Sequence, residues 1–134
     1  MVTPGPASIV VVDFPFSDLS GSKLRPAVVL CNTGRGDWLL CQITSNPHSD
    51  PEAVKITPAD LAKGTLSSLS FARPTKLFTA NETLMVKRVA ILEDAPFRDI
   101  LSTIINALQK VMPTEQDTDN VVARSQHDDL SHGE

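Results

Sequence analysis

Ile9-Val-Val-Val-Asp-Phe-Pro-Phe-Ser-Asp-Leu-Ser-Gly-Ser-Lys-Leu-Arg-Pro-Ala-Val-Val-Leu30 is the stretch that decides the fold. Ile9 to Phe14 is rich in β-branched and aromatic residues and reads as a strand. Pro15 to Lys23 is a polar loop, broken by Pro15 and Gly21 and filled with the turn formers Ser17, Asp18, Ser20 and Ser22. Pro26 to Cys31 is a second apolar run, so two strands are joined by a loop too long for a tight hairpin. Arg25 stands where that loop enters the second strand. Pro26 restricts it to extended geometry, which holds a guanidinium at the loop mouth on a rigid base.

Trp38 to Thr44 reads as a third strand and ends in the polar patch Thr44-Ser45-Asn46, ahead of Pro47. The turn Thr33-Gly34-Arg35-Gly36-Asp37 lets it pair antiparallel with the strand at Pro26. The start of one strand then lies beside the end of the other, and Arg25 and Thr44 become neighbours at one end of the sheet.

The remainder supports a compact, mainly β domain. Glu52 to Ile56 alternates and suggests a short strand. Thr57 to Gly64 has the marks of a short helix, with Thr57 as N-cap, Pro58 in the first position and Gly64 as terminator. Leu66 to Ser70, Phe71 and Lys76 to Thr79 read as extended pieces interrupted at Arg73-Pro74, and Leu84 to Val86 and Val89 to Leu92 as further strands. From Asp94 a helix carries one apolar stripe, Phe97, Ile100, Leu101, Ile104, Ile105, Leu108, Val111 and Met112, which packs on this domain or on a second copy. The expectation is six or seven short strands in a curled antiparallel sheet of barrel type, spanning residues 1–112, followed by an acidic, disordered tail at 113–134.

Composition narrows the function. No run approaches the roughly 20 apolar residues of a membrane span, and no signal peptide is evident, so a cytoplasmic protein is expected. Cys31 and Cys41 fall inside expected strands and read as buried thiols. His48, His127 and His132 are scattered, so no metal constellation, cofactor motif or Ser-His-Asp set can be assigned. The net charge is −4, but from Pro113 onward six acids face one base, while residues 1–112 hold eleven bases against ten acids. A nucleic-acid binder built on that body needs a local basic cluster.

The segment Val12-Asp-Phe-Pro-Phe-Ser-Asp-Leu-Ser-Gly-Ser-Lys-Leu-Arg-Pro-Ala-Val-Val-Leu30, with Leu40-Cys-Gln-Ile-Thr-Ser45 and Phe71-Ala-Arg-Pro-Thr-Lys-Leu-Phe-Thr79, resembles the PemK/MazF toxins of bacterial toxin–antitoxin systems over roughly Pro6 to Met112. The resemblance implies an SH3-like barrel with a C-terminal helix, usually a homodimer. It implies an mRNA interferase: a metal-independent, sequence-specific endoribonuclease acting on single-stranded RNA and neutralised by a cognate antitoxin. Arg25 and Thr44 match the family's catalytic Arg and Thr. Phe16, Ser17, Ser20, Ser22 and Lys23 would flank the RNA groove, Ser45 and Asn46 would read base edges, and Arg73 and Lys76 would extend the basic surface. Many members carry an acidic residue near Arg73-Pro74, where this chain has Arg73. Each residue also has a plain reading: Arg25 as a surface ion pair with Asp13, Thr44 as an ordinary strand residue. The alternative function is a non-catalytic binding module acting through a protein partner.

Overall fold

The computed structural model describes residues 3–15, 22–47 and 49–114, with the backbone alone at 14, 15 and 22. Strand β1 spans Ser8–Pro15, β2 Ser22–Gly34, β3 Asp37–Thr44, β4 Val54–Ile56, β5 Leu61–Gly64, β6 Ser70–Asn81 and β7 Met85–Leu92, and helix α1 spans Asp94–Gln109. They form one antiparallel seven-stranded sheet in the order β4-β6-β3-β2-β1-β7-β5, curled as a half-barrel of SH3-like type. The two edge strands, β4 and β5, are joined by the single 3-10 turn Pro58–Asp60. Glu93 N–H donates to the Asp60 carbonyl at 2.8 Å, which ties that turn to the start of α1.

Both faces of the sheet are packed, because the central strands are apolar at nearly every position. Ile9, Val28, Leu30, Cys41, Ile43, Ile56, Ala72, Leu92 and Ile100 of α1 form the first core. Val10, Val12, Ala27, Val29, Leu40, Ala80 and Met85 form the second, flanked by Trp38 and Phe78. The Trp38 indole is satisfied by Glu82 Oε2 at 3.0 Å. The β2–β3 turn falls where the glycines predict it, with positive φ at Gly34, Arg35 and Gly36.

Three expectations change. The segment expected as a helix from Thr57 to Gly64 makes only the 3-10 turn. Asp60 Oδ2 accepts from Thr57 N at 2.7 Å and Thr57 Oγ1 at 2.9 Å, after which the chain extends as β5 against β7. Pairing Leu61 with Leu92 and Lys63 with Ile91 outweighs continuing a helix of one turn. The interruption expected at Arg73-Pro74 lies inside one continuous strand. There the β3–β6 register shifts between Cys41 and Ile43, and Pro74 is fully buried at the irregularity. Cys31 is exposed rather than buried. The apolar stripe of α1 is present, but only its first half is covered: Ile100 is buried, whereas Leu108 and Met112 are 62% and 61% exposed.

Gly64 closes β5 in a left-handed conformation (φ 80°), and a Cβ there would meet the Val89 carbonyl oxygen at 2.1 Å. Gly64→Ala therefore combines the left-handed penalty of about 1–2 kcal/mol with a backbone clash. Chemical denaturation should show a loss of at least about 2 kcal/mol; an unchanged midpoint would mean that the β5–β7 edge is not as close as described.

Candidate active site

Register places the site. Strands β2 and β3 pair Val29 with Leu40, Val28 with Cys41 and Ala27 with Gln42. Carried two residues on, that register sets Arg25 across from Thr44. Val12 pairs with Arg25 on the other side, Thr44 pairs with Phe71, and Phe71 pairs with Lys55. Val12, Arg25, Thr44, Phe71 and Lys55 thus form one line across β1, β2, β3, β6 and β4. Directly paired residues project to one face of a sheet, and here it is the face of the second core, since Val12 and Ala27 belong to that core. The intervening residues Val28, Ile43, Ala72 and Ile56 point into the first core.

Lys23, two residues before Arg25, shares the Arg25 face by alternation, and Lys76, two residues before Phe78 of the second core's flank, shares the same face of β6. Lys23, Lys55 and Lys76 are exposed, and Arg25 and Thr44 are half-buried. None of the strand positions on this face at this end is a carboxylate: Asp13 pairs with Leu24 and projects to the opposite side. The nearly neutral body therefore concentrates four cations around one hydroxyl and one phenyl ring.

The chain turns sharply after Thr44. Its Oγ1 donates to the Asn46 carbonyl and accepts from Asn46 N–H, both at 3.2 Å, which leaves Ser45 and Asn46 exposed at the strand end. Arg73 sits in the β6 irregularity, where its Nε donates to Asp50 Oδ2 at 2.7 Å. That hydrogen bond holds the Asp50 carboxyl below its ordinary value near 3.8 against the opposing effect of burial. Phe16, Ser17 and Ser20 lie outside the described residues, as do His48 and the tail beyond Thr114, and Ser22 is described by its backbone alone. Lys55 and Gln42 were not singled out from the sequence. Lys55 joins the line only through the pairing of β4 with β6, which skips β5 along the chain, and composition gives no sign of it.

Two grooves lie along other parts of the sheet, the first of them bordered by Lys55. One of about 580 Å³ runs between β4 and β5 under Thr65 to Leu69, and one of about 500 Å³ lies against Leu24, Pro26 and Lys87, on the face opposite Arg25. Among the described residues no group of three His, Cys, Asp or Glu side chains is placed to hold a metal ion.

An antiparallel seven-stranded half-barrel with one C-terminal helix is the SH3-like fold of a class of bacterial toxins. The sequence model of the PemK-like, MazF-like toxins of type II toxin–antitoxin systems matches residues 6–108, and the chain belongs to that family. Its fold is similar to that of an endoribonuclease solved in complex with its cognate antitoxin from a Mycobacterial species. There the identity is 15% and the TM-score 0.63, with 83% of this chain and 100% of that chain covered. It is also similar to the MazE–MazF structure from Deinococcus radiodurans, at 20% identity and TM-score 0.63, covering 79% and 96%. The Mycobacterium tuberculosis toxin MazF-mt6 aligns at 14% identity and TM-score 0.56, covering 75% and 96%. Among curated proteins no sequence matches.

Two chemical consequences can be measured. Burial pushes the Cys41 thiol up to about 12, so it stays protonated and inert, while Cys31 is exposed. A maleimide should label the native protein once, at Cys31, and twice only in denaturant; native labelling of Cys41 would contradict the packing. Asp50 has its folded-state pKa below the unfolded one. Its contribution to stability is complete above the unfolded value and is lost as pH falls through the lowered one. Between about pH 6 and about pH 3, Asp50→Asn should therefore lose less stability than the parent in urea titrations. Equal slopes would show that the ion pair does not carry that acid sensitivity.

Proposed function

We propose that the chain is a sequence-specific endoribonuclease that cuts single-stranded RNA without a metal, as the toxin of a type II pair. What supports the reading is the β2–β3 register, whose pair Ala27–Gln42, carried two residues on, brings Arg25 level with Thr44 on a face that also bears Lys23 and Lys55. In RNA the 2′-hydroxyl oxygen is an internal nucleophile beside the phosphorus. It attacks, the P–O5′ bond breaks, the 2′-oxygen loses its proton and the 5′-oxygen gains one. The products are a 2′,3′-cyclic phosphate and a 5′-hydroxyl end. The protein must orient the sugar and stabilise the phosphorane.

Arg25 suits the second task, because its planar fork pairs with two phosphate oxygens and stays charged. Thr44 adds a hydroxyl donor once its proton leaves the Asn46 carbonyl, worth more in a site that excludes water. Lys23, Lys55 and Lys76 neutralise the flanking phosphates. Phe71 offers a stacking face of about 1–3 kcal/mol per base, and Ser45 and Asn46 offer donors and acceptors to exposed base edges. The antitoxin would compete for the same basic face with an acidic segment, and the protein would act in the cytoplasm as a homodimer. The binding-module alternative draws on the apolar groove between β4 and β5, which suits a peptide better than RNA.

The deciding experiment is cleavage of a long RNA in EDTA, with the product ends mapped. Wild type should cut at a short recurring sequence and leave cyclic phosphate ends. Arg25→Ala should lower kcat by about 100- to 1000-fold, and Thr44→Ala by about tenfold. Intact RNA with wild type, or full activity in Arg25→Ala, would turn the assignment to the binding module.

A further inference from the structure

Asp50 is the node of the loop that follows Thr44. Its N–H donates to the Pro47 carbonyl at 2.9 Å, and its carbonyl accepts from Ala53 N–H at 3.2 Å. Its Oδ1 accepts from Glu52 N–H at 3.0 Å, and its Oδ2 accepts from Arg73 Nε at 2.7 Å. The Asp50 side chain is 5% exposed and that of Arg73 28%. The first three bonds are internal to the loop. Only the fourth connects the loop to the sheet by side chains, and it does so at the β6 irregularity, beside the buried Pro74 and two residues along the strand from Phe71.

We infer that Asp50 and Arg73 are positioning residues: their ion pair buckles the Ser49–Ala53 segment to β6 and, with the Asp50 N–H bond to the Pro47 carbonyl, fixes where Thr44, Ser45 and Asn46 sit relative to Arg25. Arg73 is then not an RNA ligand, although it is a cation close to the proposed site. Its guanidinium is engaged by a carboxylate that is only 5% exposed, and withdrawing it would leave that carboxylate with one partner fewer. The strand end needs such a device. Beyond Thr44 the β3–β6 ladder stops, so the loop has no backbone pairing to the sheet until Val54 meets Ala72. A displacement of the loop by about 1 Å is enough to misplace a hydroxyl donor and cost about 100-fold in rate.

This inference rests on the ribonuclease reading for its kinetic consequence but not for its structural one, and the test separates them. Asp50→Ala, Arg73→Ala and the double variant are compared with wild type for kcat and KM on single-stranded RNA. RNA affinity is measured against salt in an Arg25→Ala background, and amide hydrogen exchange is followed across residues 45–53. Positioning predicts that each single variant lowers kcat by about 10- to 100-fold with KM within about twofold, and that the double variant loses no more than either single. The salt slope of RNA binding stays at its parent value in Arg73→Ala, and the Glu52 and Ala53 amides exchange about five- to tenfold faster in Asp50→Ala.

Asp50→Asn keeps one acceptor oxygen while giving up the charge and the second acceptor, and should fall between wild type and Asp50→Ala. A rise in KM and a salt slope smaller by about one in Arg73→Ala, with Asp50→Ala unaffected, would make Arg73 a phosphate ligand and overturn the proposal. If the wild type cuts no RNA, the ribonuclease reading fails and the exchange data decide alone. Unchanged protection at Glu52 and Ala53 in both single variants would then overturn the buckle.

Discussion

Everything in this fold depends on β2 being shared between two cores. Ala27, Val28, Val29 and Leu30 are all buried, and they alternate, with Val28 and Leu30 entering the first core and Ala27 and Val29 the second. A strand with one buried face can trade a register slip against exposed polar residues. A strand with two cannot slip by one without exchanging the side chains of both cores at once, and slipping by two breaks the fit of Ala27 opposite Gln42. The same holds for β1 and β3, which supply Ile9 and Val10, and Leu40 and Cys41, to opposite sides. The site inherits this constraint. The buried apolar residues that follow Arg25 in β2 fix its height along the sheet.

The charge pattern follows from the same alternation. A domain whose residues 1–112 are close to neutral has no long-range field to draw in a polyanion, and beyond a Debye length of roughly 8–10 Å such a field would be screened. What matters at contact is sign segregation over a short distance. Lys23, Arg25, Lys55 and Lys76 fall on one face because each occupies an alternate position on its strand, and Asp13 is sent to the other face for the same reason. Asp50, in the loop that follows β3, has its charge met by Arg73. Local basicity thus coexists with a formal charge of −4 for the whole chain.

How much of this was legible in the sequence depended on sequence distance. The three strands at Ile9, Pro26 and Trp38 and the antiparallel pairing of the last two were readable, because a glycine turn and two strand lengths suffice to place one strand beside another. Helix α1 was readable from its stripe. The Thr57–Gly64 segment was misread because its capping signals are real but local. Thr57 and Asp60 do close a turn, yet pairing with β7, more than twenty residues on in the chain, takes over at Leu61. Pro74 was read as a break because a proline lacks a donor, and only a register shift in the partner ladder makes room for it inside a strand. Lys55 was invisible for a related reason: its place beside Phe71 depends on a non-consecutive pairing that no periodicity announces.

The contrast between Arg25 and Thr44 shows where the precision of such a site is limited. Arg25 lies in a central strand with β1 paired on one side and Pro26 fixing its backbone, so its position is set by the sheet as a whole. Thr44 is the last residue of its strand, and its own hydroxyl is spent on the turn to Asn46. A donor at a strand end has the advantage of reaching past the sheet toward a phosphate, and the disadvantage that half of its backbone neighbourhood is loop. Hydrogen bonds inside the loop can make it rigid, but they cannot orient it, since a rigid loop can still pivot about its two attachments. Orientation requires a contact between the loop and the sheet away from those attachments. Among the described residues the Asp50–Arg73 pair supplies one, and its burial keeps water from competing for it.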